Sequence, residues 1–78
     1  MKNTEITMAE ALEFTDYRIS RITGGHGFRE KCIGLGLIPR TDLLIISKHS
    51  RGAAVVRVMD TRIMISSGMM NRIYLEEK

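Results

Sequence analysis

Three residues of this chain carry atoms that could bind a transition metal: His26, Cys32 and His49. Imidazole nitrogen and thiolate sulfur are good ligands for zinc and iron. Their spacing is less favourable. His26 and Cys32 lie six positions apart, whereas two ligands on one helix face stand three or four apart. His49 is distant in sequence and falls in an expected hairpin loop. Six methionines, including the pair Met69-Met70, add soft donors, but buried methionine more commonly fills a core. These residues allow a weak, open or intermolecular site for Fe2+ or Zn2+ rather than a closed one. The single cysteine excludes an intramolecular disulfide and a thiolate-rich zinc knuckle.

His26 and Cys32 sit within the stretch GGHGFREKCIGLGLIPR, residues 24–40. Glycine ahead of a helix can bring backbone amides to an anion. Here the Lys-Ser/Thr pair of a phosphate loop is missing, and so is the βαβ context of a dinucleotide site. The glycines read better as conformational punctuation around a short helix between Gly27 and Leu35. Phe28, Cys32 and Leu35 then fall on one apolar face, with Arg29, Glu30 and Lys31 off it. Gly36 stands where a left-handed C-terminal cap belongs, Leu37 folds back over the last turn, and Pro39 prevents continuation.

No Ser-His-Asp, Cys-His or paired-carboxylate constellation stands out, so an enzyme is not expected. Charge is unevenly spread. Residues 1–16 balance to −3, residues 17–57 to +6, and the remainder is neutral, for a net +3. A basic centre favours an acidic partner surface or nucleic acid. Small barrels that bind single strands stack bases on exposed aromatics, and this chain has only Phe14, Tyr17, Phe28 and Tyr74. Arg18, Arg21 and Arg57 would carry a nucleic-acid reading.

Around these residues the chain must build one small domain of 78 residues. A fold of this size buries only about 60% of the surface of its unfolded chain. An apolar fraction of 44% argues against disorder. The apolar run Leu43–Ile46 is strand-sized, and nothing approaches a signal peptide or a membrane span. A reduced, cytoplasmic location is expected. Thr7 and Glu10 have capping-box spacing ahead of a short helix over Met8–Leu12. Tyr17–Thr23, Asp42–Lys48, Ala54–Met59, Arg62–Ser66 and Ile73–Leu75 read as strands, with a turn at Asp60-Thr61 and a helical turn over Ser66–Asn71. The expectation is mostly β: a small barrel of about five strands with one helix after the first, closed so that no edge stays bare.

The order of these pieces resembles the FeoA family, small cytosolic accessory proteins of bacterial ferrous iron transport. The likeness lies in the strand YRISRITGG, the helix FREKCIGLGLIP, the strand TDLLIIS, a glycine-containing hairpin, VVRVMDTRIMIS and NRIYLEE. Its most specific piece is Arg29-x-Lys31 followed by Leu35-Gly36-Leu37-x-Pro39, and it covers roughly residues 7–77. The resemblance implies an SH3-like β-barrel, no active site, and a partner in the cytosolic GTP-binding domain of the FeoB transporter. No nucleic-acid partner is implied, and the membrane is reached only through the transporter. The proposed partner surface is the helix and its flank: Arg29, Lys31, Ile33, Leu37 and Arg40. Rival readings are a transition-metal binder through His26, His49 and Cys32, and a nucleic-acid-binding barrel.

Three stretches depart from the family pattern. Glu13-Phe14 and Pro39-Arg40 replace Pro-Gly turns, and Arg51-Gly52-Ala53 replaces a longer hairpin. Arg40, where glycine is usual, implies a different turn type or backbone strain. Leu44 and Val55 stand at outward positions that the family keeps polar, and exposure there would extend an apolar patch.

Overall fold

Period-two alternation decides where the strands lie. The computed structural model describes residues 5–49 and 52–78. Its strands are β1 (Glu5–Thr7), β2 (Asp16–Ile22), β3 (Asp42–Lys48), β4 (Ala54–Val58), β5 (Thr61–Ile65) and β6 (Ile73–Glu77). A 3₁₀ turn over Met8–Glu10 follows β1, helix α1 (His26–Gly34) follows β2, and the short helix α2 (Ser67–Met70) precedes β6. Arg51, read above as part of the hairpin tip, lies outside the described residues.

All pairings are antiparallel, in one sheet of order β1-β6-β2-β3-β4-β5. Inward side chains of every strand join one core. Tyr17, Leu43, Val56, Ile65 and Leu75 are buried in it, and Ile6 of β1 and Ile63 of β5 pack against it. Both edge strands thus reach the same cluster, so the sheet coils around it. Each fully buried Ile or Leu contributes about 1.5–3 kcal/mol.

Four expectations change. Among the described residues there are six strands rather than five, because β1 is a three-residue segment with one apolar residue, too short for alternation to show. It is fixed by its pairing with β6, where Ile6 lies opposite Leu75. The helix consequently follows the second strand, not the first. Among the described residues no ladder joins β1 to β5, so the sheet is open where a closed barrel was expected. The predicted helix over Met8–Leu12 is also shorter, a single 3₁₀ turn ended by extended Ala11. The capping-box carboxylate is nonetheless in place, with Glu10 accepting from the Thr7 amide at 3.0 Å.

Bulges explain side-chain directions that simple alternation does not. The β2–β6 register shifts between Ile19 and Arg21, which lets Ile22 pair with inward Ile73. A second shift lies between Ile45 and Ser47 on β3. Beyond it Lys48 lies opposite buried Ala54, and its Nζ donates to the carbonyls of Ala9 and Ala11, each at 2.7 Å. The β4–β5 turn falls at Met59-Asp60, one residue earlier than expected, with φ of 51° and 65°. Positive φ at both central residues is what a two-residue type I′ turn requires.

Candidate docking surface

Helix α1 begins after Gly25 in extended conformation and ends in a Schellman motif. The Gly36 amide donates to the Ile33 carbonyl at 3.0 Å and the Leu37 amide to the Cys32 carbonyl at 2.8 Å. Gly36 supplies the required left-handed residue, with φ of 88°. The motif turns Leu37 back into the core beside Cys32, and both are fully buried.

Between α1, β2 and the 37–39 exit lies an apolar cleft of about 180 Å³, lined by Arg21, Ile22, Arg29, Ile33, Leu37, Ile38 and Pro39. Arg29 and Ile33 come together because they stand one helical turn apart. Ile33 is 55% exposed and Ile38 39%, so the rim offers apolar surface to a partner. Arg21 lies over the Tyr74 ring at 4.0 Å and pairs with Glu5 at 3.2 Å. Arg29 has no ion pair among the described residues.

The five residues expected to form one surface are divided by the fold. Arg29, Ile33 and Leu37 share the cleft, but buried Leu37 forms its floor and cannot project as an anchor. Lys31 is not part of it, since two residues along a helix place a side chain about 200° from Arg29. Arg40 belongs to a larger, charged cleft of about 620 Å³, lined by Glu5, Arg18, Ile19, Ser20, Arg40 and Glu76. Much of the charge there is already matched: Glu5 by Arg21 and the Ser20 hydroxyl, Arg18 by Asp42 at 3.2 Å. Ile22 and Ile38 were missed in sequence; a β2 bulge and a turn aim them at the helix, and neither leaves a periodic signal.

The metal candidates are not assembled into a site. Cys32 faces the core, while His26 and His49 are exposed. Burial pushes the Cys32 thiol above its ordinary range, with Lys31 opposing weakly, which disfavours the ligating thiolate. His26 approaches Glu30 at 3.6 Å, one turn along α1. Among the described residues no three His, Cys, Asp or Glu side chains cluster closely enough to hold a metal ion.

The residues of the nucleic-acid reading are also spoken for in part. Arg18 and Arg21 are ion-paired. The Tyr74 and Phe28 rings carry Arg21 and Arg72 over their faces, at 4.0 and 5.2 Å. Phe14 is 78% exposed, but a single open ring is not a stacking platform. No described helix is long and apolar enough to cross a membrane.

The same architecture occurs in known proteins. A crystal structure of an iron uptake regulatory protein, FeoA, superposes with a TM-score of 0.87 at 23% identity, over 94% of this chain and 97% of that one. An FeoA-like protein from Clostridium acetobutylicum gives 0.84 at 17% identity, over 99% and 90%. A manganese-dependent transcriptional repressor gives 0.91 at 10% identity; all of this chain matches 44% of that one. At these identities the likeness establishes the fold. No curated protein sequence matches the chain. The profile of the FeoA domain, however, matches residues 6–77, and the chain belongs to the FeoA domain family.

Proposed function

We propose that this protein is a cytoplasmic, non-enzymatic accessory module of ferrous iron transport, docking on the cytosolic GTP-binding domain of a FeoB-type transporter. The observation that carries the reading is the α1 cleft. It combines an exposed aliphatic rim, Ile33 and Ile38, with Arg29, a cation that has no ion pair among the described residues. An acidic partner surface bearing one apolar side chain would bury that rim and pair that charge. Family membership supports the transport context.

The test is titration of the purified GTP-binding domain with wild type and with the R29E/I33E double variant. Both substituted side chains are exposed, so circular dichroism should be unchanged. The expected loss of affinity is at least ~10-fold, the usual consequence of reversing a charge and removing an apolar anchor. Leu37→Asp is unsuitable, because a carboxylate at that fully buried position would unfold the chain. Undiminished binding by the double variant would remove the cleft from the interface. No binding by wild type would remove the partner.

A further inference from the structure

Strand β5 ends the sheet, and its outer edge has no partner among the described residues. The hairpin geometry identifies which backbone groups lie bare. A two-residue turn makes Val58 and Thr61 a hydrogen-bonded pair, as are Val56–Ile63 and Ala54–Ile65. The β3 side agrees: Ile45, opposite Val56, bonds through its N–H and C=O to Thr15 and Phe14, on its far side from β4. Arg57–Arg62 and Val55–Met64 are therefore the non-hydrogen-bonded pairs. The N–H and C=O groups of Arg62 and Met64 point outward, as they would toward a further strand.

The side chains beside that edge select its occupant. Arg57 and Arg62 stand directly opposite each other, in the pair type that brings side chains closest. Neither has an ion pair among the described residues. Asp16 and Asp60 line the shallow hollow next to Arg57, but neither comes within ion-pair reach. Two like charges in this position repel. On the inner face Ile63 is only half-buried where Ile65 is fully buried, so the core thins along β5 toward the β4–β5 turn and leaves part of Ile63 open. Met64, at 67% exposure, continues the edge on the outer face.

We propose that β5 is a binding edge for an extended acidic segment of a partner protein, which adds as a strand alongside Arg62 and Met64. Its backbone satisfies the bare N–H and C=O groups. Outward acidic side chains meet Arg62 and Arg57, and an inward apolar side chain covers Ile63. A second copy of the chain fits less well. Antiparallel pairing of two β5 edges would gather the Arg57–Arg62 pairs of both copies, with neither Asp16 nor Asp60 within ion-pair reach of them. The cations that keep copies apart thus favour an acidic strand, the strand-addition mode of peptide recognition.

The test is amide hydrogen exchange and NMR titration with a synthetic peptide of about seven residues alternating Glu and Val. The controls are the Lys-Val analogue and a Glu-Val peptide with a central proline. Binding of the acidic peptide should slow exchange at the Arg62 and Met64 amides at least ~10-fold. R62E should weaken binding about 10-fold. R57Q should weaken it less while stabilising the fold through relief of repulsion, which separates binding from folding. The I33E variant of the α1 cleft should bind the peptide normally, so this inference and the docking reading fail separately. Absence of binding, equal binding of either control, shifts confined to the α1 cleft, or self-association through β5 would each overturn the proposal.

Discussion

Arg40 and Phe14 occupy backbone conformations that glycine takes most cheaply, with φ of 78° and 57°. Both stand where the family resemblance leads one to expect glycine. At Arg40 the surroundings over-determine the geometry. The Thr41 amide donates to the Ile38 carbonyl at 3.1 Å, closing a turn with Pro39 and Arg40 at its centre. Proline followed by positive φ is the type II pattern. The Arg40 amide also donates to Ile19 at 2.7 Å, and Thr41 accepts from Ile19 at 2.9 Å. Of the two outcomes foreseen for this position, the turn type is kept and the strain is real. Left-handed conformation costs an L-residue roughly 1–2 kcal/mol, of which glycine's greater unfolded-state freedom returns roughly 0.5–1. R40G should therefore stabilise the protein by about 0.5–1 kcal/mol, read as a raised urea midpoint at unchanged m.

At the scale of elements, α1 is held by its C-terminal motif more than by its own sequence. It is nine residues long and buries only Cys32 from within its span, and such short helices are marginal in isolation. The Schellman bonds and the return of Leu37 to the core dock it on the sheet. Gly36→Ala would impose left-handed strain and bring a Cβ to 3.3 Å from the Met59 sulfur, a flexible side chain that can yield. The expected cost is about 1–2 kcal/mol, with early exchange of the α1 amides as its local signature. The glycine and proline signals of residues 34–39 make this element legible from sequence, because a C-cap is a local device. The cleft it forms is legible only in part. Helical spacing links Arg29 to Ile33 and separates Lys31, but no local rule brings Ile22 or Ile38 alongside.

For the whole molecule, ion pairs join β1 and Lys78 to the rest of the sheet. Asp42 receives Lys78 at 3.1 Å and Arg18 at 3.2 Å, which holds its carboxyl below the ordinary range, Lys78 contributing most. Hydrogen bonding from Ser20, then Arg21, does the same for Glu5 and fastens β1 to the outer face. A carboxylate with a depressed folded pKa stabilises the fold above its unfolded pKa and loses that contribution as pH falls through the folded value. Stability should accordingly be level at neutral pH and decline below the ordinary carboxylate range. D42N should be less stable than wild type at neutral pH, with the difference closing in acid. A chemical denaturation series across pH checks this. Both groups are exposed, so salt should shrink the difference.

The sequence by itself determined the pieces: the strands from β2 to β6, the bounded helix, and the left-handed demand at Gly36 and Arg40. These follow from side-chain period and turn chemistry, which act over a few neighbouring residues. Tertiary structure decided everything that depends on which strand lies beside which. Short β1 exists only because β6 receives it, and Leu37 moved from docking rim to core floor because the helix cap returns it inward. Lys48, one of the cations in the basic span of residues 17–57, turns in across a bulge to reach two carbonyls. The opposition of Arg57 and Arg62 arises from register in a sheet that, among the described residues, coils without closing. Each of these rests on contacts between distant segments, whose geometry no local pattern of residues encodes.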